Sequence, residues 1–458
     1  MSHNHHHSVI LFNYSLFGNT LDFNSGFQIS PVDFEKFIPV NYMEKQMKNR
    51  ILPNLVFSTL GLFFLSEATA KSLSLEFLGE KIIASGSTFS GTTIGGLSGI
   101  DYDREKNSFY AISDDRSRDA RFYTLNMDID TNGINAVNFT NVTNLKDIGN
   151  QPFAQSSLDP ESIRFNAARD SLFWTSERNQ NGDPWVREMK LDGSFVKELN
   201  TPSKFKPSTG TGIGVSNNRA FESLTFSLDG SKVFTATEQA LVQDDSLANT
   251  QKGSKVRILE LNTVSGDTGV SPSYRAEYVY EVGPVSKGDD QGFEDNGLVE
   301  LLALNNGNLL SVEREFVAGV GNTIKVFEVD LTGAEDVSGK QALDGTEQAA
   351  TKELLLDFDE LDLLLGRDNE FSYLNSALDN IEGVTFGPEI DGFETLIFVS
   401  DDNFNAFDDG IDGNGDDQFT QFLAFKITPV PVPPALPLFL SAVAGLFVTR
   451  AKKLNNQG

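Results

Sequence analysis

The sequence of 458 residues contains no cysteine, and its four histidines all lie among the first seven positions. Without cysteine the chain cannot form a disulfide, a Cys-His dyad or an iron–sulfur cluster. Without histidine beyond the first positions, a Ser-His-Asp triad, a phosphohistidine intermediate and a zinc site of the His/Cys type are excluded as well. Any chemistry must therefore rest on carboxylates, lysine and arginine, hydroxyl groups and bound hard cations.

Positive charge is also scarce in this chain. There are 36 lysine and arginine residues against 65 aspartate and glutamate residues, which gives a net charge of −29. Nucleic-acid phosphates are bound by clustered lysine and arginine, so this balance argues against a nucleic-acid partner. The excess of carboxylates instead favours a protein that binds divalent cations.

Residues 43–70 have the three elements of a secretory signal peptide in the required order. A basic start precedes an apolar stretch over 51–65, and Ala68-Thr69-Ala70 forms a small-x-small cleavage site. We expect export, with the mature chain beginning near Lys71. Residues 1–42 are then a non-native extension produced by an upstream start-codon error; the alternative is that His5 to His7 bind metal.

Residues 429–458 form a second targeting segment at the other end of the chain. A proline-rich stretch that includes Val432-Pro433-Pro434-Ala435 is followed by an apolar run from Leu438 to Val448 and a basic end. The run is short for a membrane span. The segment resembles a PEP-CTERM sorting signal of the VPLPA type, which implies a Gram-negative source, transient membrane anchoring and an exosortase-type sorting enzyme as partner. A plain anchoring helix is the alternative.

The chain between these segments, residues 71–428, contains repeats. In each repeat a first strand begins near an acidic residue, and a second strand ends in another acidic residue. The two acidic positions are 16 residues apart from Glu161 to Glu177 and from Glu222 to Glu238, and 19 apart from Glu382 to Asp401. Turn residues lie between them, as expected for hairpins.

Two further strand-like runs follow most of these hairpins. Four strands per unit, with 60 to 80 residues between copies, are typical of a β-propeller blade. The sequence therefore predicts an all-β fold, a β-propeller of five to six four-stranded blades. A sixth blade would lie within 240–292 or 316–380. The lone strand from Leu73 to Ile83 is expected to join the last blade and close the ring, and 358–367 is compatible with a short helix.

In a propeller, the first strand of each blade lines the central channel. Glu161, Glu222, Glu300 and Glu382 take one position on that strand in four copies, and Ser98 takes it in the fifth. The second strands end in Asp114, Asp115, Glu177, Glu238, Glu313, Asp401 and Asp402, with Arg116, Arg178 and Arg314 beside them. Carboxylates crowded at one end of a channel predict a site for Ca²⁺. The alternative is that these carboxylates join neighbouring blades by accepting hydrogen bonds from backbone N–H groups.

At these positions the sequence resembles the phytase-like family, which is described as having esterase-like activity of phytase. The matching segments are GGLSGIDYD with AISDD, DPESI with WTSER, FESLTFSLDG with TATEQ, GLVELLAL with LLSVERE, and IEGVTFGP with FVSDDNF. The resemblance implies a propeller that cleaves phosphate monoesters with the help of bound calcium. No histidine is required for such a reaction.

The resemblance also implies roles for individual residues. The expected calcium ligands are Glu161, Glu222, Glu238, Glu382, Asp401 and Asp402, with Asp114 at the matching position of the first repeat. The expected catalytic residues, all next to the metal, are Glu177 and Glu313, which would also contact calcium, together with Arg178 and Arg314, which would orient the phosphoryl oxygens.

The stretch from Asp408 to Asp417, DDGIDGNGDD, is a second candidate calcium site because alternating Asp, Asn and Gly suit an oxygen-lined loop. It lacks the glutamate and the flanking helices of an EF-hand. The alternative is an acidic hairpin tip.

Three functions follow from these observations. The first is a monomeric, calcium-dependent phosphoester hydrolase, exported to the cell surface or beyond, that acts on a phosphorylated small molecule. The second is a non-catalytic, calcium-braced propeller that binds a surface ligand or an extracellular matrix component. The third is lactonase-like chemistry at a propeller metal site.

Overall fold

The computed structural model describes residues 73–430, apart from positions 118, 208–210, 264–273, 290–291, 319, 365–379 and 406–417. The predicted signal peptide, the upstream extension and the sorting segment from position 431 onward lie outside these residues. Among the described residues, regular structure is almost entirely β-strand, with one short α-helix, α1 (Phe358–Leu364), inside the segment 358–367 that is compatible with a helix.

The strands pair into five four-stranded antiparallel sheets and one small hairpin. The chain enters through β1 (Leu73–Ile83) and the hairpin of β2 (Thr88–Phe89) and β3 (Thr92–Thr93). The first sheet contains β4 (Gly99–Asp103), β5 (Ser108–Ile112), β6 (Arg121–Asp130) and β7 (Gly133–Asn144). The second contains β8 (Pro160–Asn166), β9 (Ser171–Ser176), β10 (Trp185–Lys190) and β11 (Phe195–Leu199).

The remaining sheets repeat this order from inner to outer strand. The third contains β12 (Thr225–Phe226), β13 (Lys232–Ala236), β14 (Ser254–Asn262) and β15 (Tyr274–Val282). The fourth contains β16 (Glu294–Ala303), β17 (Leu309–Val317), β18 (Gly321–Asp330) and β19 (Thr351–Asp357). The fifth contains β20 (Asn380–Phe386), β21 (Thr395–Asp401), β22 (Thr420–Pro429) and, as its outer strand, β1.

The sheets form a ring, which identifies them as the blades of a five-bladed β-propeller. Strand β4 contacts β8 on one side and β20 on the other, and β16 contacts β12 and β20. The pairing of β1 with β22, with Leu73 opposite Pro429 and Ile83 opposite Thr420, confirms the predicted closure by the N-terminal strand. The described parts of 240–292 and 316–380 supply outer strands to the third and fourth blades rather than a sixth blade.

A hydrophobic core fills each interface between neighbouring blades. Phe122 and Trp174 belong to the core between the first and second blades, and Val326 and Phe398 to the core between the fourth and fifth. Inner strands are covered on both faces, so all six residues of β9 are buried, whereas the outer strand β7 has exposed residues along most of its length. Neighbouring blades diverge with distance from the axis, so only one face of an outer strand packs against another sheet.

Within the part of the chain that the structure describes, no helix combines the length and the apolar composition needed to cross a membrane.

Candidate metal centre

Acidic side chains gather at one end of the ring because of how each inner hairpin is paired. First strands begin where second strands end: Pro160 lies opposite Ser176 and Asn380 lies opposite Asp401. Residues at the start of a first strand and at the end of a second strand therefore face the same end of the channel. Repeating this arrangement around the ring brings together residues that are far apart along the chain.

We call the acidic residues at this end the carboxylate cluster. Its members are drawn from all five blades, and all but Asp114 are at most 7% exposed. The members are Asp114, Asp159, Glu161, Glu177, Glu222, Glu238, Asp295, Glu382 and Asp401. Seven of these nine residues are candidates from the sequence, and the structure brings those seven to one site.

Two groups of three carboxylates have the spacing of a cation site. One oxygen each from Asp159, Glu161 and Glu177 lie within 4.8 Å of one another, and so do oxygens from Glu177, Glu222 and Glu238. Calcium binds oxygen at about 2.3–2.6 Å, so two ligands of one ion lie up to roughly 5 Å apart. Both groups fit that limit, and Glu177 belongs to both.

Burial and mutual repulsion raise the pKa values of the clustered carboxyls. Burial raises the pKa of Glu161 well above its usual value, and the carboxylate of Glu222 raises it further. The pKa of Glu222 is raised in the same way, with Glu177 and Glu238 as neighbouring like charges. Burial raises the pKa of Glu238 to about 8. Groups in this state gain stability either by taking up protons or by binding a cation.

Arginines neutralise two parts of the cluster. Arg178 donates from Nε to Asp159 Oδ2 at 2.6 Å and from Nη2 to Glu177 Oε2 at 3.2 Å. The Nη2 of Arg314 lies 3.2 Å from Glu238 and 3.4 Å from Glu382. These contacts fix the orientation of four carboxylates and reduce the repulsion among them.

Some acidic side chains also join blades, as the alternative from the sequence expects. Glu177 Oε1 accepts a hydrogen bond of 2.6 Å from the backbone N–H of Ala220, which leads into the third blade. Asp402 accepts bonds from the Gly96 N–H at 2.8 Å and from the Thr420 hydroxyl at 3.0 Å. Asp402 therefore ties the fifth blade to the first, and its charge also acts on the neighbouring carboxyls of Asp114 and Asp401.

Two predicted members have their carboxylates engaged elsewhere. Glu300 pairs with Arg164 Nη2 at 2.9 Å, deeper in the channel. The second and fifth blades have a β-bulge at the same place, where it contains Glu161 and Glu382. In the fourth blade the residue inside the bulge is Val299, so Glu300 lies one position further along the strand. Glu313 accepts bonds from the Tyr280 hydroxyl at 2.5 Å and from the Gly283 N–H at 3.0 Å, in contacts outside the cluster.

Three residues of the site are absent from the candidates that the sequence provides. Asp159 belongs to one of the two carboxylate groups, and it lies in the segment DPESI two residues before Glu161, which is a usable signal. Asp295 contacts Arg219, which also lies 3.6 Å from Glu238. Neither Asp295 nor Arg219 falls at a repeat position. The candidate loop from Asp408 to Asp417 lies outside the described residues.

One buried atom of the cluster lacks a protein partner among the described residues. Asp114 Oδ1 is shielded from solvent and accepts no hydrogen bond there. An unpaired buried carboxylate oxygen is costly unless a cation or a proton accompanies it. Together with the two oxygen groups around Glu177, this atom makes the donor set suitable for a hard cation.

The fold and the site define the class of the protein as a β-propeller with a buried carboxylate cluster that can hold a metal ion. Residues 92–404 match the model of the phytase-like family, described as "Esterase-like activity of phytase". The chain belongs to this family, as the motifs in the sequence indicate. No curated protein sequence matches it.

Solved structures resemble the chain only distantly. The periplasmic gluconolactonase of Pseudomonas aeruginosa is 12% identical, with 72% of this chain and 92% of that chain covered and a TM-score of 0.30. A thermostable family-43 glycoside hydrolase is 10% identical, with 77% and 98% covered and a TM-score of 0.37. Similarities at this level carry no functional information.

Proposed function

We propose that this phytase-like propeller is a calcium-dependent phosphoester hydrolase. The observation that carries the proposal is the pair of carboxylate groups that share Glu177 at one end of the channel. The absence of cysteine from the chain, and of histidine after position 7, leaves carboxylates, lysine and arginine, hydroxyl groups and a bound cation as the means of catalysis.

Asp159, Glu161, Glu177, Glu222 and Glu238 would hold calcium. Their donor atoms are all oxygens, which hard cations prefer, and their spacing suits calcium. Calcium, when bound, would supply positive charge that offsets charge developing on phosphoryl oxygens and that acidifies water.

The protein's own residues would prepare this site. Arg178 holds Asp159 and Glu177, and Arg314 holds Glu238 and Glu382. Fixed carboxylates lose little conformational freedom on binding an ion, which favours a rigid site. The buried surroundings also strengthen every charge interaction made there.

Phosphate release from p-nitrophenyl phosphate, with calcium and after its removal by chelator, tests the proposal. We expect turnover that disappears with the metal and returns when calcium is restored. Glu177→Gln should abolish it, since this residue is common to both groups, while Glu198→Gln, an exposed glutamate paired with Arg187, should not. No turnover at any calcium concentration would contradict an enzymatic role.

A second candidate function is a non-catalytic propeller in which calcium braces the ring and the outer surface binds a ligand or matrix component. The hydrogen bonds of Glu177 to Ala220 and of Asp402 to Gly96 favour it, because they use acidic side chains to join blades. A lower melting temperature on chelation, without turnover, would support this reading.

We further propose export of a monomer to the cell surface or beyond, with cleavage near Lys71 and processing of the 429–458 segment by an exosortase-type enzyme. The order of basic, apolar and small residues in 43–70 and the proline-rich motif at 432–435 support this proposal. Mass spectrometry of the protein from its native host should find neither segment in the mature chain.

A further inference from the structure

Asp159 lies between two arginines that differ in how much of each guanidinium is free. Arg178 approaches one oxygen of Asp159, and the Nε of Arg116 lies 3.4 Å from the other. The side chain of Arg178 is 16% exposed, whereas that of Arg116 is 43% exposed. Both arginines lie beside the cation-compatible group of Asp159, Glu161 and Glu177, but Arg116 is much more exposed to solvent than Arg178.

The donors of Arg178 are engaged by the protein. Besides Asp159 and Glu177, it donates from Nη1 to Asn217 Oδ1 at 3.0 Å and from Nη2 to Asn218 Oδ1. A guanidinium has five N–H groups in a planar fork, and here they point at four protein acceptors. Arg178 is therefore suited to holding its neighbours in place rather than to binding the anion expected of it.

Arg116 has an open side chain on a fixed backbone. Its carbonyl accepts a bond of 2.6 Å from the N–H of Ser156, in the loop that leads to Asp159, and the next N–H, of Ser117, donates to Asp115 Oδ1 at 2.7 Å. The guanidinium is thus anchored near the cluster and, within the described part of the chain, makes one ion pair, through Nε with Asp159. Its two terminal nitrogens are in a position to bind an anion in a bidentate manner.

We propose that Arg116 binds the phosphoryl group of the substrate and selects anionic phosphate monoesters over neutral esters. The inference rests on the proposed function and names the residue that determines its substrate class. A phosphate dianion that approaches the carboxylate cluster is repelled unless a positively charged side chain at the edge of the cluster attracts it. A neutral ester has no such requirement, so its turnover should be indifferent to Arg116.

Two esters with the same leaving group, p-nitrophenyl phosphate and p-nitrophenyl acetate, separate these cases. Arg116→Gln should lower kcat/KM for the phosphate roughly tenfold to hundredfold, the loss expected for a charged hydrogen-bonding pair, and leave the acetate unchanged. Arg116→Lys should recover part of the loss, because it restores charge without the planar fork. Arg275→Gln is the matched control: Arg275 is also exposed and pairs through Nε with one acid, Glu260.

Binding of inorganic phosphate to the calcium-loaded protein, measured by calorimetry, decides the inference independently of turnover. We expect Arg116→Gln to weaken phosphate binding at least tenfold and Arg275→Gln to leave it unchanged. Equal affinity in all three proteins, or no phosphate binding by the wild type, would overturn the inference even if esters are hydrolysed. If phosphate binding depends on Arg116 but no ester is hydrolysed, the hydrolase proposal fails and the anion site stands.

Discussion

Arg164 and Glu300 form a buried ion pair at the centre of the ring, with 2.9 Å between Nη2 and Oε2. Arg164 also donates to the carbonyls of Ile100, Leu301 and Val384, which belong to the first strands of the first, fourth and fifth blades. Glu300 accepts from the Ser162 hydroxyl and the Leu224 N–H, of the second and third blades. The pair therefore contacts every blade.

Replacing Arg164 by methionine should destabilise the protein by about 3–5 kcal/mol, because the substitution leaves the buried Glu300 without its cationic partner. Urea denaturation measures this loss. Arg104→Gln, at an exposed pair with Glu389, should cost less than about 1 kcal/mol. Similar small losses in both variants would show that the central pair does not hold the ring.

Gly99→Ala tests how closely the first two blades approach at the axis. A Cβ at Gly99 would lie 2.6 Å from the carbonyl oxygen of Glu161 and 2.7 Å from Cα of Ser162. Both contacts are to backbone atoms, which cannot move aside as a flexible side chain can. We therefore expect Gly99→Ala to lower the free energy of unfolding by about 1–3 kcal/mol. Gly230→Ala is a comparison site with open space around the added carbon but a positive φ of 66°, which measures backbone strain without crowding. A smaller loss at Gly99 than at Gly230 would contradict the close approach.

The metal-free protein should become less stable as pH rises from about 5 to 8. The carboxyls of the cluster have raised pKa values in the folded state, reaching about 8 for Glu238. Between the unfolded value near 4.5 and this folded value, the native state binds more protons than the unfolded state, so raising the pH removes stability. Each pKa unit corresponds to about 1.4 kcal/mol.

Melting temperatures measured across this pH range after removal of divalent ions test that sign. With calcium present the fall should diminish, because deprotonated carboxylates are the form that binds the ion. A melting temperature that stays constant or rises with pH in the metal-free protein would contradict the raised pKa values.

Much of the fold could be predicted from the sequence because the repeats are local. The strand from Leu73 to Ile83 is recognisable as an isolated strand, and a missing fourth strand in the last blade gives it a partner. The choice between five and six blades needed the structure. The segments 240–292 and 316–380 are each long enough for a further blade, but their described residues form no additional inner hairpin.

The site was partly predictable for a similar reason. The equal spacing of 16 residues indicates that Glu161 and Glu177 occupy the same two positions in their repeat as Glu222 and Glu238 occupy in theirs. Spacing alone does not decide membership, because Glu382 and Asp401 are 19 residues apart and belong to the cluster, whereas Glu300 and Glu313 are 13 apart and do not. The first strands of the second, fourth and fifth blades all have a bulge, which contains Glu161, Val299 and Glu382 respectively. Glu300 lies one residue beyond this position, and a shift of one residue turns a side chain to the other face of a strand.

Side chains that enter the cluster from outside the repeat pattern could not be found by periodicity. Arg219 and Asp295 meet in space from different blades, a contact that depends on how the third and fourth blades pack. Asp159 differs, because it lies two residues before Glu161 within a recognisable motif.

Calorimetric titration of calcium into the metal-stripped protein tests the central claim, that carboxylates from different blades form one cation site. We predict saturable binding to the wild type, a loss of at least tenfold in affinity for Glu177→Gln, and no change for Glu198→Gln, whose side chain is 45% exposed on an outer strand. Absence of calcium binding by the wild type, or equal affinity in the Glu177 variant, would contradict the account.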